Sequence, residues 1–132
     1  MSKNECYTYF VMYGEFDPDD ITAALGLIPD SVRRVGDMQK GGTVADAASW
    51  QIGYNEIYDS ITSVQMERAI RPLADKVGIL NELREKYCLK YYISVVPTLC
   101  KDSILPSLAP SLSVIDFCHS TRTQIDIDLY IV

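Results

Sequence analysis

Apolar and polar residues alternate with period two over residues 124–132, with Ile125, Ile127, Leu129 and Ile131 on one side and Asp126, Asp128 and Tyr130 on the other. The pattern predicts a strand that closes a sheet and anchors helices with its apolar side. Residues 7–13 place Tyr7, Tyr9, Val11 and Tyr13 opposite Thr8, Phe10 and Met12. Both sets are apolar enough to be covered, so a central strand buried at least partly on both faces is expected. Residues 89–96 form the most strand-like run, which Pro97 is expected to end. Trp50, Ile52 and Tyr54 predict another strand, pairing as a hairpin with a brief one over residues 31–35.

Helical spacing fills the intervals. Asp17-Pro18-Asp19-Asp20 is a helix start, because Asp17 can accept from orphan N–H groups and Pro18 suits the first helical position. Ile21, Ala24 and Leu25 make the inward stripe, and Gly26 stops it. Val64, Ile70, Leu73, Val77, Leu80, Leu83 and Tyr87 recur at helical spacing, and Pro72 divides them into helices over residues 63–74 and 76–86. Ser111 is the expected N-cap of a last helix over residues 112–120, with Leu112, Ile115 and Cys118 inward. Residues 38–49 have no hydrophobic period and carry Gly41-Gly42, which reads as a loop and the candidate mobile segment. Residues 55–62 read as a polar connector and the proline-bearing residues 98–110 as an irregular connection.

The resulting order is β-α-β-β-α-α-β-α-β over residues 1–132. It predicts a single two-layer α+β domain, a mostly antiparallel sheet with helices on one face and a ferredoxin-like layering of split βαβ units. The length and a 48% hydrophobic, 23% charged composition suit one core without a metal or disulfide staple. A formal net charge of -6 argues against nucleic acid and leaves a partner with a basic surface open. The residues 1–10 lack a signal-peptide apolar region, and no run spans a bilayer, so a cytoplasmic monomer or homodimer is expected. Cys6, Cys88, Cys100 and Cys118 are far apart and read as small hydrophobes in a reducing compartment.

Few groups suggest chemistry. Cys118-His119 is the sole hint of nucleophilic catalysis, but helix neighbours diverge by about 100°, and Cys118 falls on the apolar stripe. Asp126 and Asp128 share a strand face roughly 7 Å apart, a spacing open to a carboxylate pair or a hard cation helped by Asp37 or Asp46, or to a solvated face. Lys40-Gly41-Gly42-Thr43 lacks the spacing and context of a phosphate loop. Arg33 and Arg34 could grip an anion or solvate an edge strand. Trp50, Tyr54, Tyr58 and the Tyr7–Tyr13 set could line a pocket or a protein patch, with core packing the first explanation. The candidate binding residues are Arg34, Asp37, Trp50, Asp126 and Asp128; no catalytic residue, cofactor or metal is assigned.

Ordered landmarks then carry a resemblance. They are Gly14-Glu15, Asp17-Pro18-Asp19-Asp20-Ile21-Thr22, Leu25-Gly26-Leu27-Ile28-Pro29, Gly36-Asp37, Trp50 at a strand start, Leu83-Arg84-Glu85-Lys86-Tyr87 and Ile125-Asp126-Ile127-Asp128-Leu129-Tyr130. Together they resemble the bacterial domain of unknown function 4279 family over nearly the whole chain. The chain departs from that pattern at the proline-rich residues 105–110 and at Thr121-Arg122-Thr123, where a glycine-containing turn is expected. The resemblance implies a small accessory protein, in some members toxin-neutralising, and no general activity. The leading expectation is a non-enzymatic module that holds a partner protein, immunity-like, through an acidic face and the 38–49 loop. The alternatives are a small-ligand sensor with a pocket between sheet and loop near Arg34, Asp37 and Trp50, and a Cys118-dependent enzyme.

Overall fold

Strand β1 (Glu5–Gly14) is the centre of a six-stranded sheet in the computed structural model, which describes residues 3–58 and 63–132. It pairs antiparallel with β3 (Ala48–Tyr58) on one side and with β4 (Lys90–Leu99) on the other. Strand β2 (Ser31–Arg33) extends the sheet beyond β3, and β5 (Thr123–Ile127) runs parallel to β4 at the opposite edge. The order is therefore β2-β3-β1-β4-β5, with the short β6 (Tyr130–Ile131) also parallel to β4. The fold is α+β with a mixed open sheet.

Four helices among the described residues supply the core side. Helix α1 (Pro18–Leu25) starts as its sequence dictates, with the Asp17 carboxylate accepting from Asp19 N–H at 2.9 Å and Gly26 capping it at φ 67°. Ile21 and Leu25 are buried, whereas Ala24 faces solvent. Helix α2 (Val64–Ile70) passes through a 3-10 turn at Arg71–Leu73, where Pro72 is accommodated, and α3 (Val77–Tyr87) follows. Helix α4 (Leu112–Thr121) leads into β5. One cluster joins Phe10, Met12, Trp50 and Ile93 of the sheet to Ile21, Leu80 and Phe117 of the helices.

Several expectations need correction. Strand β3 continues to Tyr58 where a polar connector was expected; the residues 59–62 lie outside the described residues. Its extension pairs with the first half of β1 across a bulge at Tyr9, opposite Gly53 and Tyr54. Gly53 has φ 77°, and a Cβ there would lie 2.1 Å from the Ala69 carbonyl oxygen, so α2 can approach β3 because this residue is glycine. Helix α4 turns differently from its predicted stripe. Val114, Phe117 and Thr121 are buried, Cys118 packs partly against them, and Leu112 is 79% and Ile115 45% exposed.

Pro97 does not end β4, which runs to Leu99. Its effect falls on the neighbour. Asp128 N–H donates to the Val95 carbonyl, so alternate β4 residues direct their backbone groups to the edge strand. Pro97 has no N–H to continue that row. The terminal stretch accordingly breaks at Asp128-Leu129 and resumes as β6 in the same register, Thr98 opposite Tyr130. This edge position also undoes the expected anchoring: Ile125 packs partly on the core, but Ile127, Leu129 and Ile131 are exposed.

Candidate binding face

Strand alternation sends the other half of the sheet side chains to the face that no helix covers among the described residues. Strand β1 presents Tyr7, Tyr9, Val11 and Tyr13 there. Across the sheet, β3 adds Tyr54, Glu56 and Tyr58, β4 adds Tyr92, Ser94 and Val96, and the edge adds Asp126, Asp128 and Tyr130. Of nine tyrosines in the chain, only Tyr87 and Tyr91 belong to the helix side. The expected burial of β1 on both faces is thus half met. Val11 is 1% exposed beneath its larger neighbours, while Tyr7 stays exposed and Tyr9 and Tyr13 half-buried.

The rings are organised rather than scattered. Tyr7 stacks on Tyr9 with centroids 6.3 Å apart and on Tyr54 at 5.8 Å, and Tyr13 meets Tyr92 edge to face at 5.9 Å. Carboxylates border them: Tyr58 donates to Glu56 at 3.2 Å and Tyr130 to Asp128 at 3.1 Å. Burial raises the Tyr7 phenol above its ordinary pKa, reinforced by Tyr9 and Asp128. Burial likewise raises Tyr13, with Tyr9 and Asp126 acting in the same direction and Arg33 against it. Negative charge nearby raises Tyr58, chiefly from Glu56, and the Asp128 hydrogen bond raises Tyr130. The Tyr58 and Tyr130 shifts thus report the carboxylates beside them, and those of Tyr7 and Tyr13 report burial first.

The five sequence-derived candidates do not converge. Arg34 and Asp37 lie at the β2 edge and Asp126 and Asp128 at the β5 edge, with the sheet between them. Arg34 donates to Asp17 and Asp19 at 2.9 Å each, and Asp37 accepts from Arg34 N–H at 2.8 Å. The Asp17 carboxyl is held below its usual value first by the Asp19 N–H and then by Arg34. These exposed contacts staple the start of α1 to the chain after β2. Trp50 is fully buried, its Nε1–H donating to Thr22 Oγ1 at 3.0 Å. Burying such a ring removes roughly 200 Å² from water, and this makes Trp50 an anchor of α1 on the sheet.

The loop is also more structured than its composition suggests. Gln39 N–H donates to Thr43, Gly36 N–H to Ala45 and Ala45 N–H to Asp37, each at 2.8 Å, which makes a narrow ladder. A depression of about 580 Å³ lies between Asp46 and Ala47 and the Lys86-Tyr87-Cys88 turn, and neither Arg34, Asp37 nor Trp50 lines it. Cys118 is half-buried and burial pushes its thiol up to about 11, whereas His119 is exposed. A catalytic thiolate requires the opposite shift. Asp126 and Asp128 belong to no group of three or more metal-ligating side chains among the described residues.

The open aromatic face was legible only in part. Tyrosine, rather than phenylalanine, alternating at positions 7, 9 and 13 opposite Phe10 and Met12 is the available signal. A phenol keeps a polar tip that can remain in water while its ring packs.

A family model matches residues 4–132 of the chain. The chain belongs to the family described as a domain of unknown function, DUF4279. No curated protein and no solved structure matches it. In this DUF4279 domain, the landmarks Asp17-Pro18 and Gly26 cap α1, and Trp50 joins that helix to β3. They build the scaffold. The open face lies on the other side of the same strands. No helix among the described residues is long and apolar enough to cross a membrane.

Proposed function

We propose that this DUF4279 domain is a non-enzymatic binding module whose open sheet face holds a protein partner with a basic surface. The observation that carries this reading is the tyrosine-covered face, bordered by Glu56, Asp126 and Asp128 and left without a second layer among the described residues. Tyrosines supply rigid contact area with a polar tip, and their ring faces attract cations. The net charge of -6 favours the same class of partner and speeds its encounter. The partner side shifts from the 38–49 loop to the sheet face, because the aromatic and acidic groups coincide there.

An immunity-like role is the form of this reading in which the basic partner is a toxin. Free cysteines throughout support a reducing, cytoplasmic setting. The scaffold is read as ferredoxin-like, supported by the order β4-β1-β3-β2 of the first four strands. The test is retention of partner from the native cell by wild type, by Glu56→Lys/Asp128→Lys and by Glu82→Lys on helix α3. A partner released by salt, lost with the face variant and kept by Glu82→Lys is expected. Loss with Glu82→Lys and retention by the face variant would overturn the reading. The depression beside Asp46 supports a second reading, a small-ligand sensor, and a thermal-shift screen in which no metabolite raises Tm would remove it.

A further inference from the structure

On the open face, a depression of about 170 Å³ has Val11 and Ser94 below and Tyr13, Tyr92 and Asp126 around it. Cross-strand register creates it. Val11 stands opposite Tyr92 and Tyr9 opposite Ser94, while Ser94 pairs with Asp126 on the next strand. Small side chains at the centre of β1 and β4 thus leave a hollow between large ones. Val11 is 1% and Ser94 9% exposed, both covered by the larger side chains around them.

Its Asp126 side favours a cation. The two rings meet edge to face and present electron-rich faces, and Asp126 adds a carboxylate. Asp126 borders the hollow, and Ser94 Oγ is an additional acceptor. Two cations, Lys90 opposite Tyr13 on β4 and Arg33 beyond Ser49, stand on the same face on the far side of Tyr13 from Asp126. Arg33 donates to the Ala47 carbonyl, and Lys90 borders a separate depression with Arg84 and Arg122. That second cluster serves the C-terminal ends of α3 and α4, where Arg84 donates to the Thr121 carbonyl. The hollow has less than the roughly 300 Å³ of a small-molecule pocket, which suits it to one side chain.

We infer that the hollow between Tyr13, Tyr92 and Asp126 is a receptor for a single cationic side chain, a lysine or arginine projecting from the partner. This rests on the proposed reading of the face and names its central contact. The cationic head lies between the rings, and its N–H groups donate to Asp126 and Ser94.

Hexalysine and hexaarginine peptides are the probes, titrated at low salt with calorimetry and with NMR of the tyrosine rings. Asp126→Asn keeps shape and exposure, and Glu82→Gln on helix α3 is the control for an equal change in net charge. The expected result is movement of the Tyr13 and Tyr92 ring signals, with affinity weakened about fivefold by Asp126→Asn and less than about twofold by Glu82→Gln, the scale of one exposed cation contact. Tyr92→Leu, which removes a ring and keeps an apolar strand residue, should weaken binding similarly. Equal weakening by Asp126→Asn and Glu82→Gln would reduce the effect to net charge and overturn the hollow alone. Movement confined to Tyr7 and Tyr54 would also overturn the hollow and leave the face reading intact. No movement of any ring on the face would overturn both.

Discussion

Gly53 shows how much a single position can decide. It carries a positive φ, sits at the bulge of β3 and lets the backbone of α2 approach closely. Gly53→Ala should therefore destabilise the domain by roughly 4 kcal/mol, because strain and a backbone clash add, as measured by urea unfolding. The cysteines separate by environment. Cys88 is exposed, Cys6 and Cys100 are buried, and the Cys118 thiol is raised to about 11 by burial. Cys88 should react first with a maleimide at neutral pH, and the Cys118 rate should keep rising as pH increases toward about 11. Fast Cys118 labelling at pH 7 would contradict this and revive the thiolate reading.

Helices and strands show where sequence patterns suffice and where they fail. The start and stop of α1 were legible because Asp17, Pro18 and Gly26 act locally. The inward face of α4 was not, since Leu112, Ile115 and Cys118 fit one apolar stripe as well as Val114, Phe117 and Thr121 fit another, and only packing against the sheet, α2 and α3 selects between them. Phe117→Ala should cost about 4 kcal/mol, while Leu112→Ser should stay within about 0.5 kcal/mol, both read from denaturant midpoints. The end of α4 explains the departure at Thr121-Arg122-Thr123. Arg122 adopts φ 57° as the C-cap, the conformation a glycine would take there. Arg122→Gly relieves a left-handed strain of about 1–2 kcal/mol but adds chain entropy of about 0.5–1 kcal/mol. A net gain of about 0.5 kcal/mol is expected in the same unfolding measurement.

At the scale of the molecule, the α+β class followed from periodicities, but the layout of the candidate site did not. Arg34 and Asp126 look equally exposed and polar in sequence, yet the order β2-β3-β1-β4-β5 puts them at opposite edges. Trp50 drew notice as an isolated aromatic, and its indole instead closes the core under α1. The tyrosines gave the better signal, because their register across β1, β3 and β4 gathers onto one face residues more than a hundred positions apart. A local window cannot show such convergence; pairing alone produces it.

The break opposite Pro97 and the alternation of β5 together also govern how the protein meets its own copies. Gln124, Asp126 and Asp128 turn their backbone groups toward β4, so those of Ile125 and Ile127 point outward, a ready template for another strand. An antiparallel mate from a second copy would set Asp126 against Asp126 in one register and against Asp128 in another. The two carboxylates thereby act as gatekeepers against edge-to-edge association. Asp126→Ser/Asp128→Ser should raise the sedimentation coefficient in a concentration-dependent way, whereas replacing the same acids by lysine should not, because either sign repels its own image.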